Sequence, residues 1–440
     1  MEGVKLVEKV VIVPEKPTNR RRIFLSNLDL PLVAYQESVS FYDPPEKKIS
    51  FSESYNTLFR ALRSLLVPYD FFAGRLVPAL EDNRRLEIDC NGAGVVVAAA
   101  RTGASLSQLG GLFSPKPNFK QLVAFLSEEG EDEMEFKDKP LLYIQLTQFG
   151  CGSLALASRY NHCVLDGAAA RDFEKNLAAF TRGDDLVIVP NPDRTIFKAR
   201  NPPRISHPHH EYSKPSETRD NFFSVGGTRC ANAMHSTPQN KTRLIYIPPL
   251  RIDSLKMEAL KDGNLKKCTT FHAIAAKVWK ARSIATKMHD EVRSTMLFPV
   301  DVRRILVPPV PIGFAGNALV PGFARASVRE LKEKDDSYLV RKVQKGVERF
   351  DDEYVRSGID WLEVHRGVAC KENSFSLVAW FRLGLEEDEF SWGKLKYATP
   401  VVLKPGLVFL LPGLEGDGGL NICLDLPDDQ VDEFHRLLME

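Results

Sequence analysis

The chain has 440 residues, of which 59 are Lys or Arg and 58 Asp or Glu, a net charge of +1, with 43% hydrophobic residues. This balance, without a long basic stripe, gives no electrostatic reason to expect nucleic acid or an anionic membrane as partner, and no run of about 18 apolar residues signals a membrane span. The seven cysteines (Cys90, Cys151, Cys163, Cys230, Cys268, Cys370, Cys423) are odd in number and without CxxC pairing, which signals neither a disulfide framework nor a zinc site.

The opening "VEKVVIVPEKP" reads as a strand closed by Pro14, and "SESYNTLFRALRSLLVPYD" places Leu58, Leu62 and Leu65 at helical spacing until Pro68 stops the helix. "FFAGRLV" and the strand-like "RRLEIDCNGAGVVVAAA" follow, then the acidic "EEGEDEMEFKDKP", a solvated loop by its like charges. "LLYIQLTQF" and "SLALASRYNH" flank Gly150, Cys151 and Gly152 and predict a hairpin whose second strand ends near His162. A helix opens at once: Asp166 as N-cap, Phe173, Leu177 and Phe180 as buried stripe, Gly183 as left-handed stop.

From about 190 to 238 the chain is rich in Pro, Asn, Ser and His, too long for a compact loop and read as a crossing linker. Three segments are therefore expected, 1–190 and 241–440 as domains and 191–240 as linker. The second half continues with strand "TRLIYIPP", a helix from Thr269 or Thr270 through "TTFHAIAAKVWKARSIA", strand "STMLFPVDV", the turn "VPPVPIGFAGN", a helix near "SYLVRKVQKGVERF", and the strands "NSFSLVAWFRL", "LVFLLPGL" and "GGLNICLDL". Both halves are mixed α/β. The amino terminus lacks an apolar h-region and a cleavage site, and with free thiols this predicts a cytoplasmic protein.

Among the chemical candidates, His162 stands on a strand-to-helix turn with Asp166 four residues on, an arrangement suited to a general base held steady by a capped helix. Cys163 points the opposite way along the strand and is read as a core cysteine. No G-x-S-x-G elbow, P-loop or G-x-G-x-x-G follows a strand, and "GDGGL" near Gly416 is a turn signal. His207, His209 and His210 lie in the Pro-rich linker without carboxylate or Cys support and are read as a solvated loop; no metal site is expected.

"FFAGRL" (71–76), "HCVLDG" (162–167), "TTFHAIAAKVWKAR" (269–282), "FPVDVRR" with "PPVPIGFAGN" (298–317) and "EFSWGK" (389–394), in this order, make the chain resemble the plant BAHD family of CoA-dependent acyltransferases over nearly its whole length. The resemblance implies two chloramphenicol-acetyltransferase-like α/β domains with mixed sheets and a channel between them, acyl-CoA and acceptor entering from opposite faces. It implies His162 as general base midway, Asp166 and Gly167 as structural residues with Arg303 as the partner of Asp166, and Trp380 as donor to the oxyanion. The family pattern of Thr or Ser, one residue, then Trp reads Val378-Ala379-Trp380 here, so a hydroxyl donor is missing. The family's D-F-G-W-G reads Glu389-Phe390-Ser391-Trp392-Gly393, a loop that shapes the fold; Trp392 and Phe390 are also explained by core packing alone. For CoA phosphates, Lys266, Lys267, Thr269, Thr270 and Arg282 are candidates near a helix N-terminus. The expectation is a monomeric O-acyltransferase, hydroxycinnamoyl favoured, with acyl-CoA as co-substrate and no permanent cofactor. Its rivals are a non-catalytic relative that binds acyl-CoA or an elongation-enzyme partner, favoured by Val378, Glu389 and Ser391, and an N-acyltransferase whose acidic mouth would involve Glu386, Glu387 and Asp388.

Overall fold

A computed structural model describes residues 3–45, 49–126, 134–214, 240–384, 388–413 and 417–440. Cys230, Glu386, Glu387 and Gly416, and the first part of the acidic segment, lie outside the described residues.

The predicted hairpin is present as Leu142–Gln148 and Leu154–Asn161, antiparallel from Gln148 opposite Leu154 to Leu142 opposite Tyr160. Its turn closes where the Phe149 N–H donates to the Ser153 carbonyl at 2.9 Å, and Gly152 takes the positive φ of 89° that a side chain would resist. The hairpin lies centrally in a seven-stranded sheet ordered Lys5–Ile12, Val95–Arg101, Leu142–Gln148, Leu154–Asn161, Tyr35–Tyr42, Gly393–Pro400, Glu389–Phe390. The sheet is mixed because 95–101 runs parallel to 142–148. Helices Phe51–Leu65 and Gly167–Arg182 cover one face, burying Leu58, Leu62, Leu65, Phe173 and Leu177 in a common core with Ile144 and Leu146.

The second sheet has six strands, Asn240–Ile247, Leu420–Pro427, Leu407–Pro412, Ser374–Ala379, Arg293–Asp301 and Leu319–Ser327. Thr270–Ala285 is its central helix, packed among Pro249–Leu260, Asp336–Glu348 and Asp428–Met439. That helix is apolar nearly all round, as "FHAIAAKVWKA" requires of a buried rod, and Trp279 is fully enclosed with its indole N–H donating to Ser294 at 3.0 Å. The protein is thus a two-domain mixed α/β fold.

The boundary read from chain order needs one correction. Residues 389–400, assigned with 241–440, belong to the first sheet: Ala398 pairs with Ser40 and Thr399 with Val39, and Phe390 and Trp392 lie in the first core. The 35–42 strand has backbone groups on two edges to satisfy, and a returning segment from the far half fills one of them. The described part of the linker also differs from a loose connection. The backbone N–H and Nε of Arg200 donate to Asp360 at 2.8 and 2.7 Å, and its Nη1 donates to Glu353 at 2.8 Å, fastening the segment to helix Asp352–His365. His209 is buried rather than solvated, its Nδ1 2.7 Å from Glu211 and its Nε2 2.9 Å from Ser357 Oγ. His210 is exposed as expected and His207 half-buried.

Candidate active site

Strand Leu154–Asn161 hands over to helix Gly167–Arg182 in five residues, and the turn is tied on every side. Asp166 is the N-cap, its Oδ1 accepting the Ala169 N–H at 2.9 Å. The same carboxylate reaches the other domain: Arg303 Nη2 lies 2.9 Å from both oxygens, and Oδ2 accepts the Ala318 N–H at 2.9 Å. Asp166 is wholly buried, and all four bonds go to the protein, so its charge is spent on holding the turn against the far domain. The expected partnership with Arg303 is present.

The His162 peptide is clamped from both ends. Its N–H donates to the Ala34 carbonyl at 2.9 Å, and its carbonyl accepts from Asn317 Nδ2 at 2.9 Å. Asn317 is itself fixed by Asp29, whose Oδ1 accepts Nδ2 at 2.9 Å, and Asp29 faces the enclosed Arg194 guanidinium at 3.3 Å. Arg194 Nη2 in turn donates to the Val164 carbonyl at 2.8 Å, inside the turn. The ring borders the channel, and its Nδ1 is buried without a hydrogen-bond partner among the described residues. Burial holds its pKa below the ordinary 6.5, opposed by its own carbonyl and the Asp166 carboxylate, so the imidazole is neutral near pH 7 and able to take a proton. Cys163 faces the first core, fully buried, and burial raises its thiol well above the ordinary range; it is no nucleophile.

A channel of about 900 Å³ runs between the sheets, and His162, Gly167, Thr269 and Trp380 line it. A Cβ at Gly167 would meet only Leu383 Cδ2 at an ordinary 3.6 Å, so this glycine is not forced by protein packing; it leaves room in the channel. The strand before the second motif ends at Ala379, and Trp380 opens a 3₁₀ turn, edge-on to Phe409 with centroids 5.3 Å apart. Its indole N–H has no hydrogen-bond partner among the described residues. Val378 also lines the channel and presents only carbon there.

The remaining candidates separate. Thr269 caps the 270–285 helix, accepting the His272 N–H at 3.2 Å, and Thr270 is that helix's first residue. Lys266 and Lys267 are exposed, and Lys267 and Arg382 are near enough to His272 to help burial lower its pKa, so this end of the channel gathers positive charge. Arg282 does not take part: it lies over the Phe375 ring at 4.7 Å, off the channel lining, and burial pushes it down to about 10. Three helical turns carry it away from the N-terminus whose dipole motivated it. Trp392 is likewise a core residue, stacked on Phe390 at 5.0 Å and edge-on to Tyr42. Gly393 serves the hairpin turn with φ 131°, and the substituted Glu389 is exposed. Neither Trp392 nor Gly393 lines the channel.

Sequence reasoning missed Asn317, Asp29 and Arg194, whose work is done through contacts distant in the chain. It also missed Arg171 and Glu174, although Glu174 had a signal: it shares the inward face of its helix with Ala170, Phe173 and Leu177.

A model of the Transferase family matches residues 3–438. The chain is 34% identical to the Arabidopsis thaliana protein "Acyltransferase GLAUCE", covering 98% of this chain and 95% of that one. It is 31% identical to a hydroxycinnamoyltransferase of Narcissus pseudonarcissus, covering 99% of each. Among solved structures, F. graminearum TRI101 complexed with coenzyme A and T-2 mycotoxin superposes with a TM-score of 0.73 over 94% of this chain and 96% of that one, at 16% identity, a likeness of fold. No helix among the described residues is long and apolar enough to cross a membrane. A histidine turn locked across two mixed α/β domains, facing the cavity between them, and full-length relatives of this kind give one conclusion: the chain belongs to the Transferase family, the plant BAHD group of acyl-CoA-dependent acyltransferases.

Proposed function

We propose that this protein transfers an acyl group, hydroxycinnamoyl favoured, from coenzyme A to the hydroxyl of a small alcohol, with His162 as general base. The observation that carries the reading is the clamped, neutral imidazole at the channel wall. In a ternary complex, His162 accepts the acceptor's O–H proton as that oxygen forms a bond to the thioester carbonyl carbon. The carbonyl π electrons move to oxygen, where the Trp380 indole N–H donates to the resulting oxyanion; one such donor is commonly worth about 3 kcal/mol. The oxyanion then re-forms the carbonyl, the C–S bond breaks, and the CoA thiolate takes the proton from His162. No acyl-enzyme is required, in keeping with the buried Cys163.

Acyl-CoA enters as co-substrate with no permanently held cofactor. Its phosphates approach the end of the channel marked by Thr269 and Lys267, where a helix N-terminus and cationic side chains favour negative charge. The names of the relatives support the acyl class. Cytoplasmic location and a monomeric state belong to the same reading.

The test is thiol release from a panel of acyl-CoAs with alcohols and amines, comparing the wild type with His162→Ala. The base contributes about 100- to 10,000-fold, so the variant should lose at least a hundredfold in turnover while its calorimetric affinity for CoA stays within about twofold. A variant retaining a tenth of wild-type turnover would remove His162 from the chemistry. No thiol release from the wild type with any pair, alongside intact acyl-CoA binding, would make the chain a non-catalytic relative.

A further inference from the structure

Helix 167–182 presents a face that the proton transfer does not use. Gly167, Ala168, Ala170, Arg171 and Glu174 all line the channel, a single stripe running two turns away from the His162 turn. The stripe begins with the smallest side chains and ends in two charged ones. Arg171 is already engaged, in an ion pair with Asp388 and with its Nε donating to the Leu383 and Gly384 carbonyls at 3.1 and 2.9 Å. Glu174 is not: it makes no hydrogen bond or ion pair among the described residues.

Glu174 lines both the channel and a small cavity of about 40 Å³ behind it, which Tyr42, Phe72, Phe173 and Leu177 close off with core side chains. Ser40 and Tyr160, from the opposing strands, face the same two spaces. Burial pushes the Glu174 carboxyl up to about 7, with Asp388 adding to the shift and Arg171 opposing it. An unpartnered ionisable group in such surroundings costs stability, and a residue kept at that cost marks a place where function and stability conflict.

Three groups meet at the reacting carbon of an acyl transfer: the CoA sulfur, the acceptor oxygen and the rest of the acyl chain. The first two need paths to solvent, whereas the third needs only a pocket closed at its end. The slot between the small-residue face of the helix and the strands carrying Ser40 and Tyr160 is such a pocket. Resting on the acyl-transfer reading above, we infer that this slot receives the transferred acyl group and that Glu174 determines specificity by accepting a hydrogen bond from a hydroxyl at its far end, as in a 4-hydroxycinnamoyl group. The lengths agree. From Gly167 to Glu174 the helix advances about 10 Å, and a 4-hydroxycinnamoyl group reaches on the order of 8 Å from carbonyl carbon to phenolic oxygen with bonds of ~1.4 Å.

The experiment compares 4-hydroxycinnamoyl-CoA with cinnamoyl-CoA, which differ only in that hydroxyl, at one fixed acceptor. A site built to bond a hydroxyl discriminates strongly against the analogue lacking it, so the wild-type ratio of kcat/KM should be at least about 10 and should fall to near 1 in Glu174→Leu. Glu174→Gln, which keeps an accepting oxygen, should retain an intermediate ratio. A ratio unchanged in Glu174→Leu overturns the inference. The ratio of calorimetric affinities for the two acyl-CoAs, measured in the wild type and in Glu174→Leu, reads the same preference without turnover: it should fall toward 1 in the variant, and an unchanged ratio overturns the inference. Failure of the catalytic reading is thereby distinguished from failure of this one.

Discussion

Asp166→Asn tests the lock between the two domains. The substitution removes one charge and turns one accepting oxygen into a donor, where the native carboxylate accepts from Ala169, Ala318 and Arg303, each at 2.9 Å. With the amide oxygen set toward Ala169 the helix cap survives, because Asn caps about as well as Asp. The amide nitrogen then faces the Ala318 N–H, donor against donor, and an unsatisfied buried group of that kind costs about 1–3 kcal/mol. Arg303 loses its carboxylate partner as well. Stranding a fully buried charge costs about 3–5 kcal/mol, but the Arg303 side chain is 18% exposed and keeps Asp301 at 3.2 Å, so its share is smaller. The expected total is about 3 kcal/mol, or roughly 6 °C in Tm at ~2 °C per kcal/mol for domains of this size. Thermal melting followed by fluorescence, alongside turnover at a temperature well below the transition, separates stability from chemistry. The loss should be structural, with turnover reduced through a displaced His162. A variant that melts within about 1 °C of wild type, well inside the shift expected, yet has no turnover would refute the reasoning and give Asp166 a direct catalytic part.

Val378→Thr places a hydroxyl two residues before Trp380 on the channel wall; a second oxyanion donor should raise kcat by up to about 10- to 100-fold, at a stability cost of about 1–3 kcal/mol where the hydroxyl lacks a partner in the free enzyme. If Val378 instead serves as an apolar wall for the acceptor, the acceptor's KM rises and the rate falls, and a lower rate at unchanged KM counts against both readings. The pH profile of kcat/KM follows from the sign of the His162 shift: the base works unprotonated and its pKa lies below the ordinary 6.5, so the acid limb falls below pH 6.5 and more than half of the plateau rate remains at that pH. An acid limb centred above about pH 7 would mean that another group titrates. Because the unfolded chain binds this proton more readily than the folded one, the same group makes stability decline as pH falls from 6.5 toward the folded pKa.

Local pattern is enough for the elements that carry their own instructions. Asp166 and Gly183 bracket helix 167–182 at the positions where a side-chain cap and a left-handed glycine satisfy its ends, and Thr269 caps the start of helix 270–285 in the same way. The hairpin at 142–161 follows from two apolar runs around a glycine turn; Cys163 lies in the core as expected, but the strand ends at Asn161, so it is the turn at 162–166 and not strand alternation that buries it. These are interactions within one or two turns of the chain, so the residues that make them are near each other in sequence. The resemblance to an acyltransferase family, read from motifs in a fixed order, is upheld by relatives that match the whole chain.

Other features are settled only in three dimensions. Residues 389–400 join the first sheet because the 35–42 strand has an edge to fill, and no local pattern says which strand will fill it. Arg282 reads as available for phosphate from its place on the helix that opens at Thr269, but packing turns it over Phe375. His209 reads as solvated in a Pro-rich stretch, but Glu211 and Ser357 enclose it. Asn317, Asp29 and Arg194 hold the His162 turn from distant parts of the chain, and Glu174 acquires its meaning from the two cavities it borders. The amino-acid sequence determined helices 51–65, 167–182 and 270–285, the hairpin and the turn that carries His162, since caps, periodicity and turn residues act locally. The tertiary structure decided what faces the channel and what supports the turn, because burial and hydrogen-bond partners are properties of a surface assembled from distant segments.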